Sequence, residues 1–224
     1  MLKAIAHFVR NGPEVLRMQK QHSRAEFLDL FNEKADAQGY ADVRRELVGD
    51  LAGSILEIGC GTGSMFRYYG ERARVDAIEP EEDFLERAVA KAQRTSGKIH
   101  AMAGDGMNLP FSNGSFDTVV ICLVLCSVAS TSRVLAEAFR VLRGGGQLRA
   151  LEHVRSGGAV AGLLMDLGNP LWLRINKQGC NWNRDPLAAL SEAGFWVDDV
   201  RAFQRFDTMM PAFPMRLVKA HKPR

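Results

Sequence analysis

No charge of one sign dominates this chain. Its 29 Lys and Arg stand against 26 Asp and Glu, a net +3 over 224 residues, too small an excess to argue for a nucleic-acid partner. A basic stripe interleaved with aromatics, the footprint of such a partner, is missing as well. Cysteine is scarce. Cys60, Cys122, Cys126 and Cys180 show no ligand-pair spacing, so neither a disulfide framework nor a metal is expected, and a reduced cytoplasmic compartment fits. No apolar run approaches the roughly 18–20 residues that span a bilayer. The N-terminus has neither the continuous apolar core nor the cleavage site of a signal peptide. Repeats and low-complexity tracts are absent. What is left is ordinary globular composition, 46% hydrophobic and 25% charged, at a length that suits one domain with a substantial core.

Against that background one stretch stands out, Glu57-Ile58-Gly59-Cys60-Gly61-Thr62-Gly63. It follows the short apolar run Ser54-Ile55-Leu56, and a helix is expected from residue 64. Alternating glycines let a backbone turn sharply and approach a ligand without Cβ interference. Val75 to Glu79 reads as a second strand ending on an acid, and Glu79 stands 20 residues beyond Gly59. Doubly wound folds place there the carboxylate that holds ribose hydroxyls. Loop, spacing and acid together predict a nucleoside-bearing cofactor. A dinucleotide fingerprint needs its third glycine at position 64, where this chain has Ser64.

The remaining pattern predicts alternating strands and helices: strand 54–58, strand 74–79, helix 82–94, strand 98–103, strand 116–122, helix 131–142 and strand 147–153. A helix over Asp185 to Glu192 and strands over Phe195 to Phe203 and Met215 to His221 follow. Such alternation builds a mostly parallel sheet with helices on both faces. Before it, Ser23 and Glu26 form a capping box for a helix to about Gln38, and Tyr40 to Leu51 reads as another helix. Residues 1–53 are therefore expected as an N-terminal helical cap on a domain of residues 54–224. Within the first 22 residues, Leu2, Ile5, Phe8 and Val9 recur at helical spacing before Gly12-Pro13 breaks the pattern. That basic segment either covers the cofactor cleft or touches anionic lipid as a peripheral contact. Residues 156–184 interrupt the rhythm and are rich in glycine and leucine. They are expected as the lid or wall of an apolar pocket, with a packing or dimer helix as the alternative.

The motifs resemble those of the S-adenosylmethionine (SAM) methyltransferases with a Rossmann-like, doubly wound, seven-stranded sheet whose last strand is antiparallel. The glycine loop is similar to their motif I. Gly104-Asp105-Gly106-Met107 and Leu109-Pro110-Phe111 resemble the segment around the adenine. Phe116 to Val120 resembles the fourth strand, and Arg140 to Gly146 the turn into the fifth. The resemblance implies that Gly59, Gly61 and Gly63 wrap the methionine end and that Glu57 fixes the loop or the amino group. It also implies that Glu79 accepts from the ribose and Asp105 from the adenine amine, with Gly106 and Met107 against the ring. Cys60, Pro80 and Leu123 complete the candidate cofactor set, and S-adenosylhomocysteine is the implied product.

A narrower resemblance runs through Val120 to Val128, Leu151-Glu152-His153-Val154, Asn169-Pro170-Leu171-Trp172 and Gly179 to Asp185. These segments look like the membrane-associated alkyl-thiol S-methyltransferases, which are related to quinone C-methyltransferases and phospholipid N-methyltransferases. The family's long hydrophobic anchor is replaced by the short basic segment. After the fourth strand, Cys122 to Ser127 replaces the Asn/Asp-Pro-Pro-aromatic run of amino-directed enzymes, which argues against DNA or RNA. A small, largely apolar nucleophile is therefore expected as acceptor, a thiol first and a phospholipid amine or quinone carbon next. The rival from another class is a SAM-binding protein without catalysis. His153, at the end of the fifth strand, is the candidate base or a structural histidine, with an unperturbed pKa near 6.5. Cys126, Trp172, Cys180 and Arg184 join it as candidate substrate residues, and Asn183 is the expected cap of the helix after Arg184.

Overall fold

The computed structural model describes residues 2–95, 98–175, 179–204 and 214–224, without the side chains of residues 2–11, 175 and 204. Three helical segments come first: α1 (Leu2–Gln21), α2 (Arg24–Ala35) and α3 (Ala41–Val48). α1 continues through Pro13, so the expected break at Gly12-Pro13 does not occur. The stripe Leu2, Ile5, Phe8 and Val9 falls among side chains outside the description. The capping box forms as expected, with Glu26 N donating to Ser23 Oγ and Ser23 N to the Glu26 carboxylate. α2 stops before Gln38. A wide turn over Asp36–Tyr40 follows, with Gly39 at φ +96°.

The sheet then assembles from β1 (Gly53–Ile58), β2 (Ala73–Glu79), β3 (Ile99–Ala103), β4 (Phe116–Cys122), β5 (Leu142–His153), β6 (Trp196–Gln204) and β7 (Pro214–His221). Its order is β3-β2-β1-β4-β5-β7-β6. The first five strands pair parallel, and β7 runs antiparallel to both β5 and β6. α4 (Glu82–Ala92), α5 (Thr131–Val141), α6 (Ala159–Ile175) and α7 (Pro186–Glu192) fill the connections. β1 lies between β2 and β4, so the chain crosses to opposite sides of the sheet there. That reversal opens a crevice at the carboxyl ends of the strands.

Strand periodicity sorts the core into two layers. Ile55 packs with Leu47, Val75 and Val120 on one face, while Leu56 and Ile58 pack with Val134, Leu135 and Leu148 on the other. Each fully buried aliphatic side chain contributes roughly 1.5–3 kcal/mol. Both faces of the central strands are covered, which is why these strands read as continuous apolar runs.

Three local expectations are corrected. No α-helix begins at residue 64; a single 3₁₀ turn, Phe66–Tyr68, stands there instead. β5 starts at Leu142 rather than 147, because Arg143 to Gly146 form a bulge between the Leu142 and Gln147 pairings. Asp185, not Asn183, caps α7, accepting from Leu187 N and Ala188 N.

Beneath α3 lies an ionic network. Arg44 is 2% exposed and donates to Asp36 at 2.8 Å and to Asn32 at 2.5 Å. Asp36 also accepts from Arg67 and Tyr68, both at 2.7 Å. Removing Arg44 takes away the Asn32 contact and one of the donors to Asp36, which keeps Arg67 and Tyr68. Arg44→Met is expected to lower unfolding stability by about 1–3 kcal/mol in urea titration; a change within error would assign the network no role in holding α2 to α3.

Candidate functional site

β1 delivers the chain to Gly59, whose φ of +69° favours glycine. A Cβ there would stand 2.7 Å from Val124 Cγ2, so the loop closes only without a side chain. Gly59 N and Cys60 N both donate to Ile78 O, at 2.9 and 3.0 Å. The end of β2 then clamps the loop through Glu79. One carboxylate oxygen accepts from Gly61 N at 2.8 Å and the other from Glu81 N at 3.1 Å. Burial raises the Glu79 pKa above the ordinary carboxyl range, and the backbone N–H groups oppose it. Carboxylate oxygens have capacity for further donors, so Glu79 can brace the loop and still accept hydroxyls.

Glu57 sits deeper. It is 1% exposed on the same face of β1 as Ile55 and accepts from Tyr69 Oη at 2.9 Å. No salt bridge reaches it among the described residues. Burial pushes its pKa up to about 8, against the pull of the Tyr69 hydroxyl and the more distant Arg44 charge. A carboxyl so placed is suited to a cationic ligand group that replaces the missing charge.

Across the crevice, Asp105 accepts from Met107 N at 2.8 Å and shapes a tight turn after β3. Leu123, just past β4, is the one described non-glycine with positive φ, at +59°. Such strain collects at ligand sites where surrounding contacts hold it. Leu123 N donates to Leu151 O at 2.8 Å, and the next two amides, Val124 N and Leu125 N, donate to Glu152 at 2.8 and 2.9 Å. Glu152 is 1% exposed. Burial raises its pKa to about 7 despite those amides.

The far end of the crevice is sulfur-rich. His153 Nε2 lies 2.5 Å from Cys180 Sγ, and Cys180 Sγ lies 3.4 Å from Cys126 Sγ. Burial lowers the His153 pKa, but the Cys126 and Glu152 charges outweigh it and the imidazole ends above its usual value. The Cys180 contact, then burial, push the Cys126 thiol well above the ordinary range. Trp172 closes this end, donating from its indole to Cys180 O at 2.8 Å and stacking on Trp182 with centroids 5.0 Å apart. The stretch expected as a lid or wall, or else as a packing or dimer helix, holds a helix, α6, which lines the cleft through Trp172, followed by a segment bringing Cys180 to the cleft, with residues 176–178 outside the description.

Together these walls enclose a cleft of about 520 Å³, roofed by α1 and α2 through Leu16, Phe27, Phe31 and Asn32. Every predicted site residue lines it except two. Gly63 packs against the Phe66 ring and Ala88, so it serves the loop's packing. Arg184 turns away, donating to Leu125 O, Val128 O and Thr131 Oγ1; it ties down the loop after β4. Arg44, Asn32, Tyr69 and Glu152 escaped the sequence reading. Glu152 left a signal, an acid ending the hydrophobic strand beside His153. Arg44 left none, since a charged residue in a helix is normally solvated.

Fold and crevice define a class: a Rossmann-like methyltransferase that uses SAM. The methyltransferase-domain family, Methyltransf_11, matches residues 56–150. Thiol S-methyltransferase TMT1A of Homo sapiens is 35% identical over 182 residues, 75% of this chain and 72% of that protein. The chain belongs to the family of these methyltransferases. Demethylmenaquinone methyltransferase of Lactococcus lactis is 39% identical over 111 residues, covering 47% of this chain and 44% of its own length. Among solved structures, geranyl diphosphate C-methyltransferase from Streptomyces coelicolor superposes with a TM-score of 0.62 at 14% identity, over 83% of this chain and 79% of that one. The last likeness concerns the fold alone.

The Glu57 carboxyl has a consequence for stability. The folded chain holds its proton more tightly than the unfolded chain does. That contribution is complete below the ordinary carboxyl value of 4.5 and is lost as pH rises through about 8. Glu57→Gln is expected to make the cofactor-free protein more stable than wild type at pH 8.5, by about 3–5 kcal/mol, with little difference at pH 4.5. Chemical denaturation across this range checks it; parallel curves would contradict the buried-acid assignment.

Proposed function

We propose that this SAM-dependent methyltransferase transfers the methyl group to a small, largely apolar thiol. The observation that carries the reading is the placement of Cys126, His153, Cys180 and Trp172 at one end of the crevice whose other end is the glycine loop. A soft, apolar wall suits a sulfur nucleophile better than an amine, which would need acceptors. The 35% identity to a thiol S-methyltransferase supports the same acceptor class.

The cleft fits the cofactor. Glu57 has no salt bridge among the described residues, and Gly59 leaves no room for a Cβ. In this reading Glu57 holds the ammonium, Glu79 the ribose hydroxyls and Asp105 the adenine amine, with Gly106, Met107, Pro80 and Leu123 packing around them. Bound SAM supplies an electrophilic methyl group on a sulfonium. The chain's contribution is alignment and dryness: effective molarities of about 10⁵–10⁸ M follow from orienting two partners. His153 is the candidate base at the acceptor end, and α1 and α2 cover the cleft from above.

A second acceptor class is favoured by one observation. On α6, Val160, Leu163, Leu164, Leu167 and Leu171 are exposed along one face, with Leu167 at 70%. Such a stripe suits a peripheral lipid contact and an acceptor dissolved there, such as a quinone or a phospholipid amine. No helix among the described residues is long and apolar enough to cross a membrane.

Methyl-labelled SAM with a panel of small thiols, a demethylated quinone and phosphatidylethanolamine separates the readings. Label is expected in the thiols, with a lower kcat for His153→Ala. Glu79→Ala, which removes a buried acceptor, is expected to weaken SAM binding roughly 5- to 150-fold, from about 1–3 kcal/mol, and Asp105→Ala, at an exposed position, to weaken it less. Label only in quinone or lipid would move the proposal to the second class.

A further inference from the structure

Sequence spacing points to no metal, yet the fold brings three ligand-bearing side chains to one point. Cys126 follows β4, His153 ends β5 and Cys180 lies beyond α6, and their ligand atoms all fall within 4.8 Å of one another. Cys180 is separated by 54 residues from Cys126 and by 27 from His153, so no local motif announces them. We propose that Cys126, His153 and Cys180 form a zinc site whose open fourth position takes the acceptor sulfur. This deepens, and rests on, the thiol reading above.

The donor set decides the metal. Two thiolates and an imidazole are soft ligands that select zinc over magnesium or calcium. Three protein ligands with one position left open is the arrangement of catalytic rather than structural zinc, and Cys₂His is one of its known sets. Cys126 and His153 are buried and Cys180 is half-buried, so the group is shielded but faces the cleft. Zn–S bonds near 2.3 Å and Zn–N bonds near 2.0–2.1 Å set tetrahedral ligand atoms roughly 3.5–3.8 Å apart. The Cys126–Cys180 edge is nearly there at 3.4 Å, and the His153–Cys180 edge of 2.5 Å must open by about 1 Å.

The surrounding structure is built to hold these ligands. Glu152 fixes the loop carrying Cys126 through Val124 N and Leu125 N. Asn181 reaches back to Cys126 O with both its backbone N–H and its side-chain amide. Trp172 holds the Cys180 carbonyl. Such supporting contacts orient metal ligands. Two thiolates and a neutral imidazole leave bound zinc formally uncharged, which a buried site tolerates. Coordination then converts the acceptor from thiol to thiolate: the sulfur–zinc bond forms, the S–H bond breaks and the proton passes to solvent water. His153 is in that case a ligand, and the proton leaves without it.

The full chain, purified and desalted after incubation with zinc, is expected to hold about one zinc per chain by elemental mass spectrometry. Cobalt in its place is expected to give thiolate-to-metal charge transfer and the visible bands of a tetrahedral site, perturbed when a thiol acceptor is added. Cys126→Ser combined with Cys180→Ser, and His153→Gln separately, are expected to lose the metal while still binding SAM, which reports that they fold. Cys122→Ser keeps it. Metal bound with these signatures but no thiol methylation would support the site while removing the thiol reading. Thiol methylation undiminished in metal-free protein would overturn the site and leave that reading intact. No zinc or cobalt uptake, uptake that survives the double variant, or a Cys126–Cys180 disulfide in its place would each overturn it.

Discussion

A carboxyl group held out of water, with no salt bridge to it among the described residues, organises the cofactor end of this molecule. Glu57 belongs to β1, the strand flanked by β2 and β4 where the topology reverses. Its place in the strand is fixed by Ile55 on its own face and by Leu56 and Ile58 on the other, so the side chain cannot turn toward solvent without breaking the core. The fold keeps the group largely protonated at neutral pH. Everything near it follows from that position. The glycine loop must turn at once, the end of β2 clamps that loop, and Tyr69 supplies the hydrogen bond that makes the burial tolerable. A cationic ligand offers the one favourable way to ionise it.

Much of this was legible in the sequence, for identifiable reasons. Parallel strands covered on both faces leave unbroken apolar runs, and glycines follow β1 and β3 directly, at Gly59 and Gly104. The seven strands were therefore readable, and the antiparallel seventh followed from the resemblance to SAM methyltransferases. So were the residues at strand ends, because function in an open sheet is confined to one edge. Other features left less trace. The chain from Ser64 to Tyr69 has the composition of a helix start, but Gly63 packs the Phe66 ring back onto α4 and leaves room for one 3₁₀ turn. The Gly144 to Gly146 run reads as a turn because a bulge inside a paired strand needs the same flexible residues. Arg184 carries the charge expected of a substrate contact, and only the fold shows three backbone and side-chain acceptors already around it.

The acceptor end follows a different logic. Its members come from separate elements, and each is positioned by backbone contacts rather than by strand register. Glu152 and Arg184 grip the loop after β4 from its two sides, and the stacked Trp172 and Trp182 hold the segment carrying Cys180 against α6. In the proposed reading, the result is a cofactor half built by the sheet and an acceptor half built by loops around it. In such a division the second half can change its chemistry while the first stays fixed.

The central claim, that Glu57 waits for a positive charge from the cofactor, has a direct measure in proton exchange. Calorimetric titration of SAM at pH 7, repeated in buffers of different ionisation enthalpy, counts protons released on binding. With the Glu57 pKa at about 8, and an α-amino group of pKa near 7.7–8.0 already mostly charged, close to one proton should leave per SAM bound. Glu57→Gln should remove that release. Binding with no proton released, or with release unchanged in the variant, would contradict the account.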